Sequence, residues 1–530
     1  MTRLQNPLLA GFYPDPTICR RGDDYYMVTS SFEYFPGIPV FHSKDFIHWH
    51  QIGHVLTREQ QADLRGLNPS RGIFASTIRY HEASGRFYVV TTLVGNAPYK
   101  DNVNFYVWAD SPSGPWSDPI PVRGAEGIDP TLFFDGEKTY YLGNMRPYPE
   151  DPACEARYIW LQELELETGT LIGQRRILLK DGAFHNAVAP EGPHMYHIGD
   201  WYYLMIAEGG TDHNHAVTVF RSRSVWGPYE SNPRNPVITH RHLRRDYPIN
   251  SVGHADLIQL ADNSWWAVLL ASRPDGGDYR NLGRETFAVP VIWENEWPVF
   301  SPETGKVEFT YPAPVLPVQE WEALPACDDF DAFTLLPVWN TLRTSAEDAY
   351  SLTERPGFLR LFFDGACLSD IASPAFVGRR QQHMDFTASA MLAIHSGNPV
   401  CAAGIALFYN NENYYTALIR PEGSGAFLLQ LTCCSGGKLS VLAAAPYAQS
   451  EVYFQAEVRQ QDICFYFSSD NENWTMLGET VTGTILNKEN GGGFTGTYVG
   501  LYATSKGGES DRAHEWADFD WFRYLPEENG

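Results

Sequence analysis

The stretch GDDYYMVTSS (residues 22–31) sets a pattern that returns four more times in the first half of the chain. Each copy opens with a turn of Gly, Asp, Asn or Ser and continues through two adjacent aromatic residues into an apolar run. The other copies are SGRFYVVTTLVG (84–95), DGEKTYYLGN (135–144), IGDWYYLMIAEGG (198–210) and DNSWWAVLLAS (262–272). Turn residues followed by aromatic and β-branched residues are typical of β-strands, so each copy predicts one strand.

The aromatic pairs recur at intervals of 62, 53, 62 and 63 residues. A short predicted strand precedes each pair, and a turn-rich strand follows it. A unit of several short strands, repeated five times with almost no helical periodicity, predicts a five-bladed β-propeller. We expect this propeller over residues 1–315.

The sequence changes character after the propeller. Residues 316–326 include Pro317 and Pro325 and are expected to form a linker. From residue 327 to residue 530 apolar and polar residues alternate, in runs separated by turns such as NNEN (410–413) and SGGK (435–438). This alternation predicts a β-sandwich of the jelly-roll, concanavalin-like kind, so the whole chain is expected to be all-β.

Composition excludes several classes of protein. The chain of 530 residues has 39 Lys and Arg against 64 Asp and Glu, a formal net charge of −25, which excludes generic binding to nucleic acid or anionic membranes. It has neither a run of 18 apolar residues nor a signal-like N-terminal stretch, so we expect a cytoplasmic protein without a membrane span. Its eight Cys form no C-x-x-C pair and are expected to be reduced core thiols.

The strand predicted before each aromatic pair carries a polar residue at a matching place. These residues are Asp15, Ser76, Asp129, Glu191 and His254. In a propeller the innermost strand of each blade lines the axial channel, so the five side chains are expected to converge. A turn is the ordinary interpretation of a single Asp-Pro, but three carboxyl residues in register, all beside Pro, indicate a functional site.

Converging carboxyl groups in an acidic, aromatic-rich protein favour glycoside hydrolysis. That reaction needs one protonated acid at the leaving oxygen and one ionised carboxylate, which activates water in an inverting enzyme. A third carboxylate raises the pKa of the acid by like-charge repulsion.

These motifs carry a resemblance to a known family. The stretches YPDPTICR (13–20), GIDPTLFFD (127–135), APEGPHMY (189–196) and NLGRETFAVPVIW (281–293) resemble the β-xylosidases of glycoside hydrolase family 43, some of which also act as α-L-arabinofuranosidases. The similarity continues into the second domain at GGGFTGTYVGLYAT (491–504).

The resemblance implies a role for each carboxyl group. It makes Asp15 the general base, Asp129 the residue that orients and tunes the acid, and Glu191 the general acid of an inverting reaction. It also implies that Arg284 reaches the sugar hydroxyls; the alternative is a structural ion pair.

Aromatic residues are expected to shape the sugar site. Phe32 resembles an aromatic wall of that site, and Phe74 stands where relatives often have Trp. Phe494 follows three Gly residues and is the candidate for a sandwich loop that closes the pocket and makes the enzyme exo-acting. For Phe74 and Phe494 the alternative is packing in a core.

Histidines raise the question of a metal. In some family members the residue equivalent to His254 helps hold calcium or a similar divalent ion on the propeller axis, so His254 is a candidate metal or substrate ligand; the alternative is a neutral, hydrogen-bonded His. No cofactor is expected to be required. The pairs His213/His215 and His240/His242 lie in loop-like sequence and are expected to be solvated or at the pocket rim.

The leading hypothesis is an inverting exo-glycosidase that releases D-xylose from the non-reducing ends of β-1,4-xylooligosaccharides. The alternatives are an α-L-arabinofuranosidase, alone or as a second activity on arabinofuranosides, and a non-catalytic carbohydrate-binding propeller. A retaining sucrose-type hydrolase is excluded because the chain lacks its N-D-P-N-G nucleophile motif. The family resemblance also implies a homo-oligomer, a dimer or a tetramer.

Overall fold

The structure is a computed structural model that describes residues 2–97, 100–148, 151, 154, 156–184, 187–344 and 349–527. The strands up to residue 312 are β1 (Arg3–Gln5), β2 (Thr17–Arg21), β3 (Asp24–Val28), β4 (Tyr34–Phe35), β5 (Gly37–Ser43), β6 (His50–Leu56), β7 (Gly72–Ile73), β8 (Thr77–His81), β9 (Arg86–Val94), β10 (Val103–Ala109), β11 (Ile120–Pro121), β12 (Thr131–Asp135), β13 (Lys138–Met145), β14 (Tyr158–Glu165), β15 (Thr170–Leu179), β16 (Glu191–Ile198), β17 (Trp201–Glu208), β18 (Ala216–Ser222), β19 (Glu230–Ser231), β20 (Ile238–Thr239), β21 (Asn250–Gln259), β22 (Trp265–Ser272), β23 (Glu285–Glu294), β24 (Trp297–Phe300) and β25 (Thr310–Pro312).

The remaining elements follow from residue 327 onward. They are β26 (Cys327–Asp328), β27 (Asn340–Leu342), β28 (Tyr350–Ser351), β29 (Leu359–Phe362), β30 (Ala375–Arg380), β31 (Asp385–His395), β32 (Ala402–Asn410), β33 (Asn413–Gly423), β34 (Ala426–Ser435), β35 (Lys438–Tyr447), β36 (Glu451–Arg459), β37 (Asp462–Ser468), β38 (Thr475–Met476), β39 (Val481–Thr482), the 3-10 turn η1 (Gly483–Ile485), the helix α1 (Lys488–Gly491), β40 (Tyr498–Thr504) and β41 (Trp516–Pro526).

Five antiparallel sheets form the blades of a propeller, which confirms the predicted fold. In order along the chain the blades are β2-β3-β5-β6, β8-β9-β10-β11 with β7, β12-β13-β14-β15, β16-β17-β18 with β19 and β20, and β21-β22-β23-β24. Each aromatic pair lies on the second strand of its blade. Strand β1 pairs with β25, so the start and the end of the propeller are joined.

A buried carboxylate ties four inner strands together. Asp256 on β21 accepts hydrogen bonds from Arg79 Nη1 on β8 at 2.7 Å, Tyr196 Oη on β16 at 2.6 Å and the Ile18 backbone N on β2 at 2.9 Å. Burial alone would raise the pKa of Asp256, but Arg79 and these donors hold it below its ordinary value. The inner strands that present the candidate site are therefore held at fixed positions.

The second half of the chain forms two packed sheets, as predicted. One has the order β28-β29-β41-β31-β36-β37-β38, with β26 and β39 at its sides, and the other has the order β35-β34-β33-β32-β40-β30-β27-β4. Buried side chains from both sheets form the core between them, among them Trp339, Leu392, Phe454, Leu501 and Phe522. Excluding these apolar surfaces from water is the main stabilisation of such a sandwich.

The two halves share one sheet, which the sequence did not predict. Strand β4, from the first blade region, pairs with β27 and completes the sandwich sheet at its edge. Close by, Phe12 and Tyr34 pack with Tyr498 and Phe376 in a common buried cluster, and the Tyr34 and Tyr498 rings stack with centroids 3.8 Å apart. The sandwich is therefore fixed against the propeller beside the candidate site.

Two further expectations concern the cysteines and membranes. All eight Cys are free, but only Cys19, Cys401, Cys433 and Cys434 are buried, so the expectation of core thiols was wrong for the other four. Among the described residues, no helix has the length and apolar character needed to cross a membrane.

Candidate active site

Eight of the nine side chains expected at the site line one cavity of about 260 Å³. Asp15 precedes β2, Asp129 precedes β12, Glu191 begins β16 and His254 lies in β21, so four blades contribute their inner strands. Phe32, Phe74, Arg284 and Phe494 complete this part of the wall. Ser76 of the second blade is an exception: the cavity is lined there by Ala75, and Ser76 Oγ bonds to Thr91 Oγ1 within the blade at 2.9 Å.

An unusual backbone conformation presents three of these residues. Asp15, Asp129 and His254 have φ values of 54°, 54° and 48°, in the left-handed region that non-glycine residues seldom adopt. Such conformations persist only where the surrounding structure enforces them, and they concentrate at functional sites. The repeated conformation is a structural reason for singling out these positions.

Asp15 is buried and held as an anion. Arg284 Nη1 donates to its Oδ1 at 2.9 Å, and Ser30 Oγ donates to its Oδ2 at 2.6 Å. Burial opposes ionisation, but the charge of Arg284, the nearby His254 and the Ser30 hydrogen bond together lower the pKa of Asp15. Asp15 is therefore ionised at neutral pH and can accept a proton.

Asp129 has the opposite electrostatic environment. It is buried, and burial together with the charges of Glu191 and Asp15 raises the pKa of Asp129 well above its ordinary value. Because Asp129 and Glu191 repel each other when both are ionised, the pair retains a proton at a pH at which isolated carboxyl groups would be ionised. The cavity therefore combines an ionised carboxylate, Asp15, with a carboxyl group, Asp129, that keeps its proton to higher pH beside Glu191.

His254 lies beside Asp15 and against the backbone of Gly192. The Nδ1 atom of His254 is 3.7 Å from Asp15 Oδ1. A Cβ on Gly192 would lie 2.9 Å from His254 Cε1, so the ring leaves no room for a side chain there. Gly192 has a φ of 56° and directly follows Glu191. Burial lowers the pKa of His254, so the ring is neutral at neutral pH.

His254 is the candidate metal ligand among the residues of the cavity. In the described part of the chain, no group of three or more His, Cys, Asp or Glu side chains is placed to hold a metal ion. Calcium takes roughly six to eight oxygen ligands, whereas Asp15, the carboxylate beside His254, already binds Arg284. The side chains alone do not form a calcium site, so a metal at His254 stays a prediction.

Three phenylalanines form an aromatic side of the cavity. The Phe32 and Phe74 centroids are 4.9 Å apart, and Phe494 lies 6.1 Å from Phe32 and 6.2 Å from Phe74. The Arg284 guanidinium lies over the Phe32 and Phe494 rings, at 5.5 and 5.8 Å from their centroids. Aromatic faces of this kind pack against the C–H surfaces of small ligands, and polar groups fix the orientation of the ligand.

Phe494 comes from the sandwich and reaches the propeller pocket. Its backbone N donates to Ser70 Oγ at 2.8 Å, and its carbonyl oxygen accepts from Arg284 Nη2 at 3.4 Å. A Cβ on the preceding Gly493 would come within 2.4 Å of Ser70 Oγ, so this close approach requires glycine. The sandwich loop is therefore fixed to the propeller and to the arginine that holds Asp15.

Sequence reasoning missed part of the wall. Arg71, Val94, Arg157 and Thr211 also line the cavity. Arg71 lies three residues before the candidate Phe74, and this closeness in sequence could have indicated that it lines the cavity. The sequence around Arg157 contains no such indication. The expectation of solvated or rim histidines was wrong for His215 and His240, which are 1% exposed and bond through Nδ1 to the carbonyls of Ser251 and Ile249.

One ionised carboxylate, a second carboxyl group whose pKa is raised beside Glu191 and an aromatic wall, all in one cavity of a propeller, are typical of a glycoside hydrolase. Comparison with known proteins supports the same class of protein. Residues 4–298 match the model of glycosyl hydrolases family 43, and residues 327–525 match the β-xylosidase C-terminal concanavalin A-like domain. The chain belongs to glycoside hydrolase family 43.

Relatives match along nearly the whole chain. A non-reducing end α-L-arabinofuranosidase of Bacteroides ovatus is 40% identical over 98% of this chain and 94% of its own length. A xylosidase/arabinosidase of Butyrivibrio fibrisolvens is 40% identical over 98% of this chain and 99% of its own. The crystal structure of a xylan β-1,4-xylosidase from Bacillus halodurans superposes with a TM-score of 0.91 at 34% identity, covering 98% of this chain and all of that one.

Proposed function

We propose that this glycosidase removes single D-xylose units from the non-reducing ends of β-1,4-xylooligosaccharides, with inversion at the anomeric carbon. The observation that carries the proposal is the contrast within one cavity between Asp15, whose pKa is lowered, and Asp129, whose pKa is raised beside Glu191. Carboxyl groups with opposed pKa shifts divide the base and acid roles.

Asp15 is the proposed general base. In an inverting reaction the base removes a proton from the water that attacks the anomeric carbon. The Arg284 and Ser30 hydrogen bonds keep Asp15 ionised and fix its orientation before substrate arrives. Neither bond needs to break for a carboxylate oxygen to accept a proton, since each oxygen has two lone pairs.

Glu191 is the proposed general acid, and Asp129 its tuning partner. The acid protonates the glycosidic oxygen as the bond to the leaving sugar breaks. Asp129 supports this role by repelling the anionic form of Glu191, so that the pair holds a proton at the pH at which Asp15 has lost its own. After one turnover the proton taken by Asp15 and the proton given by Glu191 exchange with solvent, and the pair is restored.

The shape of the cavity supports exo action. Its volume of about 260 Å³ lies below the roughly 300–1,000 Å³ of typical small-molecule sites. Phe494 and the loop that carries it cover one side, so a sugar chain enters by its end rather than across its middle.

An α-L-arabinofuranosidase activity is the second candidate. The supporting observation is the 40% identity to the arabinofuranosidase of Bacteroides ovatus, equal to the identity with the xylosidase/arabinosidase. Terminal arabinofuranose and xylose present similar hydroxyl groups near the reacting carbon, so the two activities are compatible with one pocket.

The test uses linear xylohexaose labelled at its reducing end. The proposal predicts free xylose and labelled xylopentaose as the first products, followed by stepwise shortening. Early release of short labelled fragments would show internal cleavage and contradict the exo proposal. Rates on nitrophenyl β-D-xyloside and nitrophenyl α-L-arabinofuranoside measure the balance between the two candidates, and binding without any release would favour a carbohydrate-binding propeller.

A further inference from the structure

Arg280 is a buried cation outside the cavity that joins the propeller to the sandwich. It is 5% exposed and does not line the pocket. Its Nε atom donates to Glu489 Oε1 at 2.6 Å, and its backbone N donates to Glu489 Oε2 at 3.0 Å. Glu489 lies in α1, five residues before Phe494, so this contact fixes the base of the loop that closes the pocket.

The same guanidinium also binds two segments of the propeller. Arg280 Nη1 donates to Asp212 Oδ1 at 2.9 Å and to Ser251 Oγ at 2.7 Å. Asp212 directly follows Thr211 of the cavity wall, and Ser251 lies three residues before His254. Three segments that carry pocket residues therefore meet on one side chain.

The charges around Arg280 favour this arrangement. Burial opposes the ionisation of Asp212, but Lys488 and Arg280 together lower its pKa to about 2, so Asp212 is an anion at neutral pH. Lys488 Nζ, at the start of α1, lies 3.5 Å from Asp212 Oδ2. Each side of the junction thus carries one acidic and one basic side chain. These are Asp212 and Arg280 on the propeller, and Glu489 and Lys488 on the sandwich.

We propose that Arg280 is a positioning residue that holds the pocket wall together, and so sets how tightly the terminal sugar is bound. The proposal rests on the glycosidase function proposed above. Only the planar fork of arginine reaches the three segments at once, because its donors point in fixed, separate directions, whereas lysine offers one charge on a flexible stem. Without it, Thr211 and Phe494 lose their shared support, while Asp15 keeps its own bonds to Arg284 and Ser30.

The central variant is Arg280→Lys, with Glu489→Gln as a second variant that perturbs the same junction from the sandwich side. Losing a charge-assisted contact of this kind is expected to raise KM for xylobiose roughly tenfold and to leave kcat within about threefold. The pH values at the two limbs of the kcat/KM profile are expected to stay unchanged, because the carboxyl groups keep their neighbours. In the double variant the KM increases are expected to be less than additive, since both changes break one contact.

Arg360→Lys is the matched control. Arg360 binds the buried Asp518 through Nε at 2.7 Å and Nη2 at 3.1 Å, inside the sandwich and outside the pocket. A general loss of stability would lower the melting temperature and the active fraction of either variant without changing KM.

The outcomes separate this inference from the proposed function. A wild-type KM in Arg280→Lys overturns the inference, and so does a KM rise that Arg360→Lys reproduces. If Arg280→Lys does not fold, Glu489→Gln decides: a wild-type KM overturns the inference and a raised KM supports it. If the wild-type protein releases no sugar from any glycoside, the proposed function fails first, and the inference fails with it.

Discussion

Arg284 Nη1 lies 2.9 Å from Asp15 Oδ1, while its Nη2 donates to the carbonyl of Phe494 at 3.4 Å. One buried guanidinium thus connects the proposed base of the propeller with the loop that the sandwich places over the pocket. The loop lines the cavity and also belongs to the hydrogen-bond network that holds Asp15.

The first prediction concerns the acid. Glu191→Gln keeps the shape of the side chain but removes its proton donor, so kcat on xylobiose should fall by about 10²–10⁴-fold. The loss should be much smaller on a nitrophenyl xyloside, because that leaving group departs with little need for protonation. Steady-state kinetics on the two substrates measure the difference, with Glu137→Gln on the exposed turn of the third blade as control. Equal losses on both substrates would argue against Glu191 as the acid.

The second prediction concerns pH. Activity is expected to be bell-shaped, with an acid limb set by protonation of Asp15 and an alkaline limb set by loss of the acid's proton. The Arg284 guanidinium lowers the pKa of Asp15. Arg284→Met should therefore raise that pKa and move the acid limb of the kcat/KM profile to higher pH. Arg273→Met is the control, because Arg273 binds Glu285 at 2.8 Å outside the cavity. An acid limb that stays in place in Arg284→Met would show that Asp15 does not set it.

The third prediction separates stability from activity. The pKa of Asp129 is raised by folding, so its contribution to stability is fully present below the unfolded pKa and is lost as pH rises through the folded pKa. Asn cannot ionise, so the Asp129→Asn variant does not lose stability as the pH rises. It should melt at a higher temperature than wild type at pH 7, and the increase in melting temperature should be smaller near pH 4. Activity should fall, because Glu191 loses the neighbouring carboxyl group that repels its ionised form. Thermal unfolding at both pH values checks this; a lower melting temperature at pH 7 would contradict it.

The fourth prediction tests the packing of His254. Gly192→Ala places a methyl group 2.9 Å from His254 Cε1 at a φ of 56°, so it should both destabilise the protein and displace His254 beside Asp15. Gly199→Ala has a similar φ, 61°, but meets no atom within 4 Å, so it isolates the backbone cost of roughly 1–2 kcal/mol. We expect only Gly192→Ala to lose most of its activity; equal activity in the two variants would mean that the position of His254 is unimportant.

The repeat made much of the fold and site predictable. Five strand units in register placed Asp15, Asp129, Glu191 and His254 at equivalent points, and convergence follows from propeller geometry. The same reasoning failed at Ser76, because Ser76 is one residue out of register. The inner strands of the first three blades begin at Thr17, Thr77 and Thr131, and the residues two positions earlier are Asp15, Ala75 and Asp129.

Contacts between distant loops left no periodic signal. Ser70 and Phe494, whose hydrogen bond fixes the pocket loop, are 424 residues apart, and the Arg280–Glu489 contact spans 209 residues. The pairing of β4 with the sandwich was missed for the same reason. His215 and His240 lie in polar, loop-like sequence, yet carbonyl groups that accept their ring protons allow both to be buried.

The central claim is that Asp15 activates water while a proton held by Asp129 and Glu191 reaches the leaving oxygen. Proton NMR of a fresh reaction with xylobiose tests it most directly, by following the anomer of the newly released xylose before mutarotation. We expect α-xylose to appear first, because one displacement by water inverts the anomeric carbon. If β-xylose appears first, the enzyme retains configuration, Asp15 is not a base toward water, and the assignment of the carboxyl groups is wrong.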